Sequence, residues 1–177
     1  MKKLNVQKLT AAAMLIAVGV MLPSVTGGIP QIGTMLLPMH LPVMIAGFAL
    51  GGPWGALAGA VTPLMRSLLF PFPIFYPNAV GMACELAAYG FITGTLYRSW
   101  KGHKALRIYG PLLCAMVGGR LVWGLAQVVM VGLLGDGFSL AAFWAGAFAT
   151  ALPGVVLQLV VVPLVVYALE KAGYLRK

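Results

Sequence analysis

Leu106 to Leu134 reads LRIYGPLLCAMVGGRLVWGLAQVVMVGLL, an apolar run broken by charge only at Arg107 and Arg120. A straight helical crossing of a bilayer takes about 20 residues, within a range of roughly 17 to 25. This run is therefore long enough to cross with tilt or to extend past the hydrocarbon. The remainder of the chain has the same character. Of its 177 residues 61% are hydrophobic and 8% are charged, and the mean hydropathy is +0.97. A soluble domain of this size needs far more charge to cover its surface, so the expected solvent is lipid.

Five other apolar segments accompany the first, at approximately 9–23, 36–50, 55–70, 78–97 and 143–169. An open sheet leaves backbone groups unsatisfied in hydrocarbon, and the alternation of an outer-membrane barrel is absent. The expected fold is an all-α integral membrane protein, one domain over residues 1–177 with six transmembrane helices. The segments at 36–50 and 55–70 are short for a crossing, so their ends must borrow from the flanking loops. No soluble domain, linker, low-complexity tract or internal repeat is evident, and the missing repeat weighs against an inverted-repeat transporter.

The basic residues orient this bundle. Lys2, Lys3 and Lys8 precede the first segment, and Arg98, Lys101, Lys104 and Arg107 lie between the fourth and fifth. Lys171, Arg176 and Lys177 follow the sixth. A six-span chain puts all three clusters on one face, whereas the opposite loops (24–35, 71–77 and 135–142) hold no Lys or Arg. By the positive-inside rule both termini are cytoplasmic. The net charge of +9 then borders a membrane, and no nucleic-acid partner is expected. A basic start before a short apolar run also fits a cleaved signal peptide, but no good A-x-A site follows Pro23.

The catalytic inventory is poor. There is no G-x-x-x-x-G-K-[ST] loop, no H-E-x-x-H and no G-x-S-x-G elbow, so neither ATP nor a scissile bond has an evident grip. No enzyme, metal site or cofactor is expected, and uphill movement of a ligand needs a partner that supplies energy. Cys84 and Cys114 sit in apolar runs and read as small buried residues rather than a disulfide framework.

Ionisable groups inside a membrane segment are costly and default to function. Arg66, Glu85 and Arg120 are the firm cases. With the orientation above, Arg66 lies roughly 6 Å and Glu85 about 10 Å from the outer end of their helices, at ~1.5 Å rise per residue. Arg120 is deeper, and all three are expected to converge on the outer half of the bundle. A structural ion pair of Glu85 with either arginine is the competing expectation, as is snorkelling of Arg66 to the headgroups. A guanidinium left over in such a cavity suits an anionic or carbonyl-rich ligand.

Asn78, Gln127 and Gln158 add uncharged donors and acceptors, with Gln127 two turns from Arg120 on nearly the same face. Tyr76, Phe75, Tyr89 and Trp123 offer walls for a flat ligand, although such aromatics also form interfacial belts. The candidate ligand-binding set is His40, Arg66, Asn78, Glu85, Arg120, Trp123 and Gln127. Thr26 to Leu37 is the first outer loop. Its glycines and prolines keep it non-helical while its apolar residues suit a lid folded over a cavity. Ile29, Pro30, Gln31 and Met35 are its candidate lid residues, with His40 at the hinge, placed to reach a ligand or Glu85. An interfacial histidine is the plain alternative. On the first helix Ala13-x-x-x-Ala17 allows close approach of another helix in lipid. Gly118 and Gly119, or Gly55 and Gly59, suit internal packing equally well.

These features together resemble the substrate-binding S components of energy-coupling factor (ECF) transporters, the vitamin-uptake members of the ABC superfamily. The resemblance rests on the length, six spans with both termini inside, the KLTAAAMLIA start, and the Gly/Pro-rich first outer loop. The runs PQIGTMLLPMHLPVMIAGFALGGPWG and AVTPLMRSLL add to it. It implies a multi-pass protein of a bacterial plasma membrane, with an S-component-like bundle that binds a vitamin or cofactor precursor in an outward pocket closed by the first loop. It further implies a shared transmembrane coupling subunit, contacted through Ala13 and Ala17, and two cytoplasmic ATPase subunits. Similarity in the PQIGTMLLPMHLPV run favours a cobalamin lower-ligand precursor such as a benzimidazole or α-ribazole. Pyridoxine-, pantothenate-, queuosine- and riboflavin-type ligands stay open. A stand-alone membrane facilitator and an integral-membrane enzyme are the alternatives.

Overall fold

The computed structural model describes residues 6–25, 35–100, 103–132 and 151–175. Among them the regular elements are six helices: α1 (Val6–Val25), α2 (His40–Leu50), α3 (Gly52–Leu69), α4 (Val80–Ser99), α5 (Lys104–Gln127) and α6 (Leu152–Lys171). A wide turn, Phe75–Ala79, leads into α4 with Tyr76 extended at φ −121°, ψ 136°. A π-helical turn, Val128–Gly132, prolongs α5.

Local chemistry sets the boundaries. The second helix starts at His40 rather than Leu36, because a residue before proline is pushed out of the right-handed helical region. Leu37, before Pro38, adopts φ 49°. At the other end of α2, Gly51 takes φ 102° and donates its N–H to the Gly47 carbonyl. That left-handed residue reverses the chain at once into α3, whose first turn accepts Pro53 because the N–H there has no helical partner anyway.

Among the described residues four stretches are long and apolar enough to cross a membrane: Val6–Val25, Phe75–Ser99, Ala105–Met130 and Leu152–Lys171. The eleven residues of α2 reach about 16 Å, short of the roughly 30 Å hydrocarbon core. Nearly every α2 side chain is buried, so this helix is apolar all round because protein surrounds it. The sixth helix is described from Leu152, and the earlier part of the segment expected at 143–169 lies outside the described residues.

Two backbones meet along a glycine seam. A methyl group on Gly55 would lie 2.4 Å from the Gly90 carbonyl oxygen, and one on Gly90 would lie 2.2 Å from that of Gly55. One turn along, a methyl on Gly59 would meet the Leu86 carbonyl oxygen at 2.2 Å. In lipid, where apolar contact alone gives no preference for protein over solvent, such close approach is what holds helices together. The small-residue pair Gly55-x-x-x-Gly59 is thus consumed inside the fold.

Ala13 and Ala17 are exposed on the outward face of α1, beside Met14, Val18 and Met21. Cys84 and Cys114 correct the expectation that they are buried, since both lie exposed on the bundle surface. In a lipid solvent the outer face of a helix is as apolar as the inner one, so an apolar run does not reveal which residues face in.

Candidate functional site

The seam fixes the rotation of α4, and with it the site. With Leu86 and Gly90 held on α3, the neighbouring flank formed by Gly81, Glu85 and Tyr89, spaced by four, turns toward α5. Gly81 packs against Gln127, Trp123 and Met130. Tyr89 lies over Gly119, and its hydroxyl donates to the Met116 carbonyl at 3.4 Å. Between them Glu85 Oε1 lies 2.8 Å from Nη1 of Arg120. Charge rather than hydrogen-bond alignment holds this pair, because Oε1 accepts no aligned N–H among the described residues. From α2, His40 Nε2 comes within 3.6 Å of the same oxygen. The imidazole meets Tyr89 edge to face with ring centroids 5.0 Å apart.

The register of α6 against α2 adds a fourth member. Gly154 sits on the backbone of Met35 and Leu36, where a methyl would lie 2.6 Å from the Met35 carbonyl oxygen. Met44, Phe48, Val162 and Val166 share one buried cluster. Each step along that face is four residues on both helices, so Gln158 lies level with His40. His40, Glu85, Arg120 and Gln158 are 1%, 2%, 7% and 0% exposed. Together they form one polar layer across α2, α4, α5 and α6. One turn toward the basic end of the bundle, Met44, Tyr89, Met116 and Val162 give it an apolar floor.

Several polar atoms in this layer stand without a hydrogen-bond partner among the described residues. Without a hydrogen bond are both ring nitrogens of His40, Oε1 of Glu85, Nη2 of Arg120, and both the oxygen and nitrogen of the Gln158 amide. Buried polar groups in a folded protein are ordinarily hydrogen-bonded, so a cluster of exceptions on one level requires an explanation.

The other candidates fall elsewhere. Arg66 does not join the layer. Its Nη1 donates to the Val20 carbonyl and, at 3.2 Å, to the Ser24 hydroxyl on α1, and its guanidinium lies 4.5 Å over the Phe70 ring. Trp123 and Gln127 are half-buried over Gly81, while Asn78 and Met35 are exposed. Ile29, Pro30 and Gln31 lie outside the described residues. Gln158 is the residue that the candidate set lacks. Its one sequence signal is an amide inside a wholly apolar segment.

The family model for the ECF transporter, substrate-specific component, matches residues 7–166 of the chain. The chain belongs to this family. As an ECF substrate-specific component the protein is a membrane-embedded transporter subunit and not an enzyme, and it works with a transmembrane coupling subunit, an ATPase module and a small-molecule ligand. No curated protein and no solved structure matches it. The matched residues include the whole polar layer, from His40 to Gln158.

The opposite, basic end of this S component also contains a cavity, about 900 Å³ in volume and lined by Lys8, Phe48, Tyr97, Arg98, Trp100 and Tyr174 among others. Its chemistry differs from that of the layer. Arg98 donates to the Leu50 carbonyl at 3.0 Å. Arg107 pairs with Glu170 at 3.5 Å and donates to the Tyr97 hydroxyl at 3.1 Å, and Tyr97 donates to Glu170. Arg98 and Arg107 thus already have protein partners.

Proposed function

We propose that the protein is the high-affinity binding subunit of an ECF importer for a vitamin or cofactor precursor, and that the ligand seats on the His40–Glu85–Arg120–Gln158 layer. One observation carries this reading: around the buried Glu85–Arg120 pair, buried polar atoms of His40, Arg120 and Gln158, brought level by helix register, have no hydrogen-bond partner among the described residues. Leaving such groups unpaired costs about 1–3 kcal/mol each, a cost that a bound ligand removes. Trp123 and Gln127 stand on the side of this layer away from the basic end, where a ligand entering from outside passes them. A cobalamin lower-ligand precursor, a benzimidazole or α-ribazole, is our first candidate, ahead of pyridoxine-, pantothenate-, queuosine- and riboflavin-type compounds.

In this reading the protein crosses a bacterial plasma membrane six times with both termini in the cytoplasm, as the three basic clusters favour. The first outer loop, with Ile29, Pro30, Gln31 and Met35, closes over the ligand, and Asn78 stands at the mouth. Arg66 serves as a clamp between α1 and α3 rather than as a ligand contact. Ala13 and Ala17, outward-facing and unused by internal packing, meet the coupling subunit, which carries two ATPases.

The test is to purify the protein in mild detergent, denature it and identify the released small molecules by mass spectrometry. A stoichiometric vitamin-sized compound is expected. Protein that is empty, and that no vitamin stabilises against heat, contradicts the reading.

A further inference from the structure

The charge balance of the polar layer narrows the ligand's chemistry, and this step rests on the layer being the ligand site. The layer holds one acidic and one basic side chain, Glu85 and Arg120, and they face each other at 2.8 Å. The other nearby membrane-embedded guanidinium, that of Arg66, is committed to the Val20 carbonyl, the Ser24 hydroxyl and the Phe70 ring. A carboxylate or phosphate bound at the free Nη2 of Arg120 would share that guanidinium with Glu85 and add a second negative charge beside a carboxylate only 2% exposed. A cationic ligand adds a second positive charge beside Arg120 in the same way. Burying a charge that lacks its own counter-ion is among the most costly changes a protein core undergoes.

The groups that stand ready are neutral or have a spare N–H. Gln158 offers a carbonyl oxygen and an NH₂ side by side, both free among the described residues. Such an amide pairs twice with any edge that has a donor beside an acceptor. Both ring nitrogens of His40 are free of hydrogen bonds among the described residues, and Arg120 Nη2 supplies a further donor. The free set therefore mixes donors with acceptors. We propose that this S component selects an uncharged ligand bearing adjacent hydrogen-bond donor and acceptor atoms, such as a lactam, carboxamide or amino-heterocycle edge, which Gln158 reads through both ends of its amide.

Matched probes decide this. Full-length protein and Gln158→Leu are titrated with nicotinamide against nicotinate, uracil against orotate, and adenosine against adenosine monophosphate, alongside any compound released on denaturation. Ligand-induced thermal shift is the readout. We expect the uncharged members, and an uncharged released compound, to stabilise the wild type, with apparent affinity falling at least tenfold in Gln158→Leu. That variant keeps an apolar side chain of similar size, and its ligand-free melting temperature reports folding separately. Tighter binding of the anionic members, or a released carboxylate or phosphate, overturns the proposal while leaving the binding-subunit reading intact. Equal binding of an uncharged ligand by Gln158→Leu overturns the role given to Gln158. Protein that releases nothing and responds to no probe overturns the binding-site reading itself, and this proposal with it.

Discussion

α4 shows two opposite uses of one helix. Its Leu86–Gly90 face is closed against α3 so tightly that no methyl group fits. The adjacent face, with Glu85 and Tyr89, takes part in a layer several of whose polar atoms have no hydrogen-bond partner among the described residues. The first face gives up side chains to gain backbone contact, and the second keeps polar side chains that face Arg120, His40 and the Met116 carbonyl. Rigidity on the seam is what makes the polar layer usable. With α4 locked in rotation, Glu85 cannot turn to lipid and must meet Arg120 and His40. The two faces divide the work: the seam packs backbone on backbone, and the layer gathers buried polar side chains.

The two faces should break differently. Gly90→Leu forces a side chain into the Gly55 backbone, and overpacking of this kind has no flexible neighbour to absorb it. We expect no folded, monodisperse protein in detergent, read by size-exclusion chromatography; a folded Gly90→Leu would show that the seam is not a fixed contact.

Glu85→Ala is next. It strands the Arg120 guanidinium, 7% exposed, and should destabilise by about 3–5 kcal/mol, the range for breaking a buried pair from one side. Glu85→Leu combined with Arg120→Leu should recover most of that loss while abolishing ligand binding. A double variant as unstable as the single one would mean that the pair is not the source of the cost.

Ala13→Leu lies at the bottom of the scale. Its side chain points outward, so thermal stability and ligand affinity should stay within experimental error while ATP-driven uptake in the assembled transporter is lost. Parallel loss of binding would remove the docking role from that face.

Much of this architecture is legible in the sequence, for specific reasons. Segments such as 106–134 announce themselves because lipid leaves no room for charge. The start of α2 is less legible, since the apolar run continues through Leu36 and Leu37 while Pro38 and the Leu37 backbone decide the boundary. Burial is not legible at all for Cys84 and Cys114, because both faces of a membrane helix are apolar.

Pairing of the ionisable residues follows the same logic. Arg66, Glu85 and Arg120 are visible as anomalies in sequence, but which arginine meets Glu85 depends on helix rotation, which the glycine seam sets. Arg66 instead finds α1 near Pro23, a residue that removes one N–H from the helical ladder. Gln158 is visible only as an amide among valines and leucines. Its importance emerges when the register between α2 and α6 sets it level with His40.

The most direct measurement is the melting temperature of ligand-free Gln158→Leu beside that of ligand-free wild type. A buried amide kept unpaired for a ligand is a liability when the ligand is absent, so the variant should gain about 1–3 kcal/mol and melt higher. It should at the same time lose the shift that ligand gives the wild type. A variant that melts lower than wild type without ligand would mean that Gln158 is a paired structural residue, and the account of the layer as a binding site would fail.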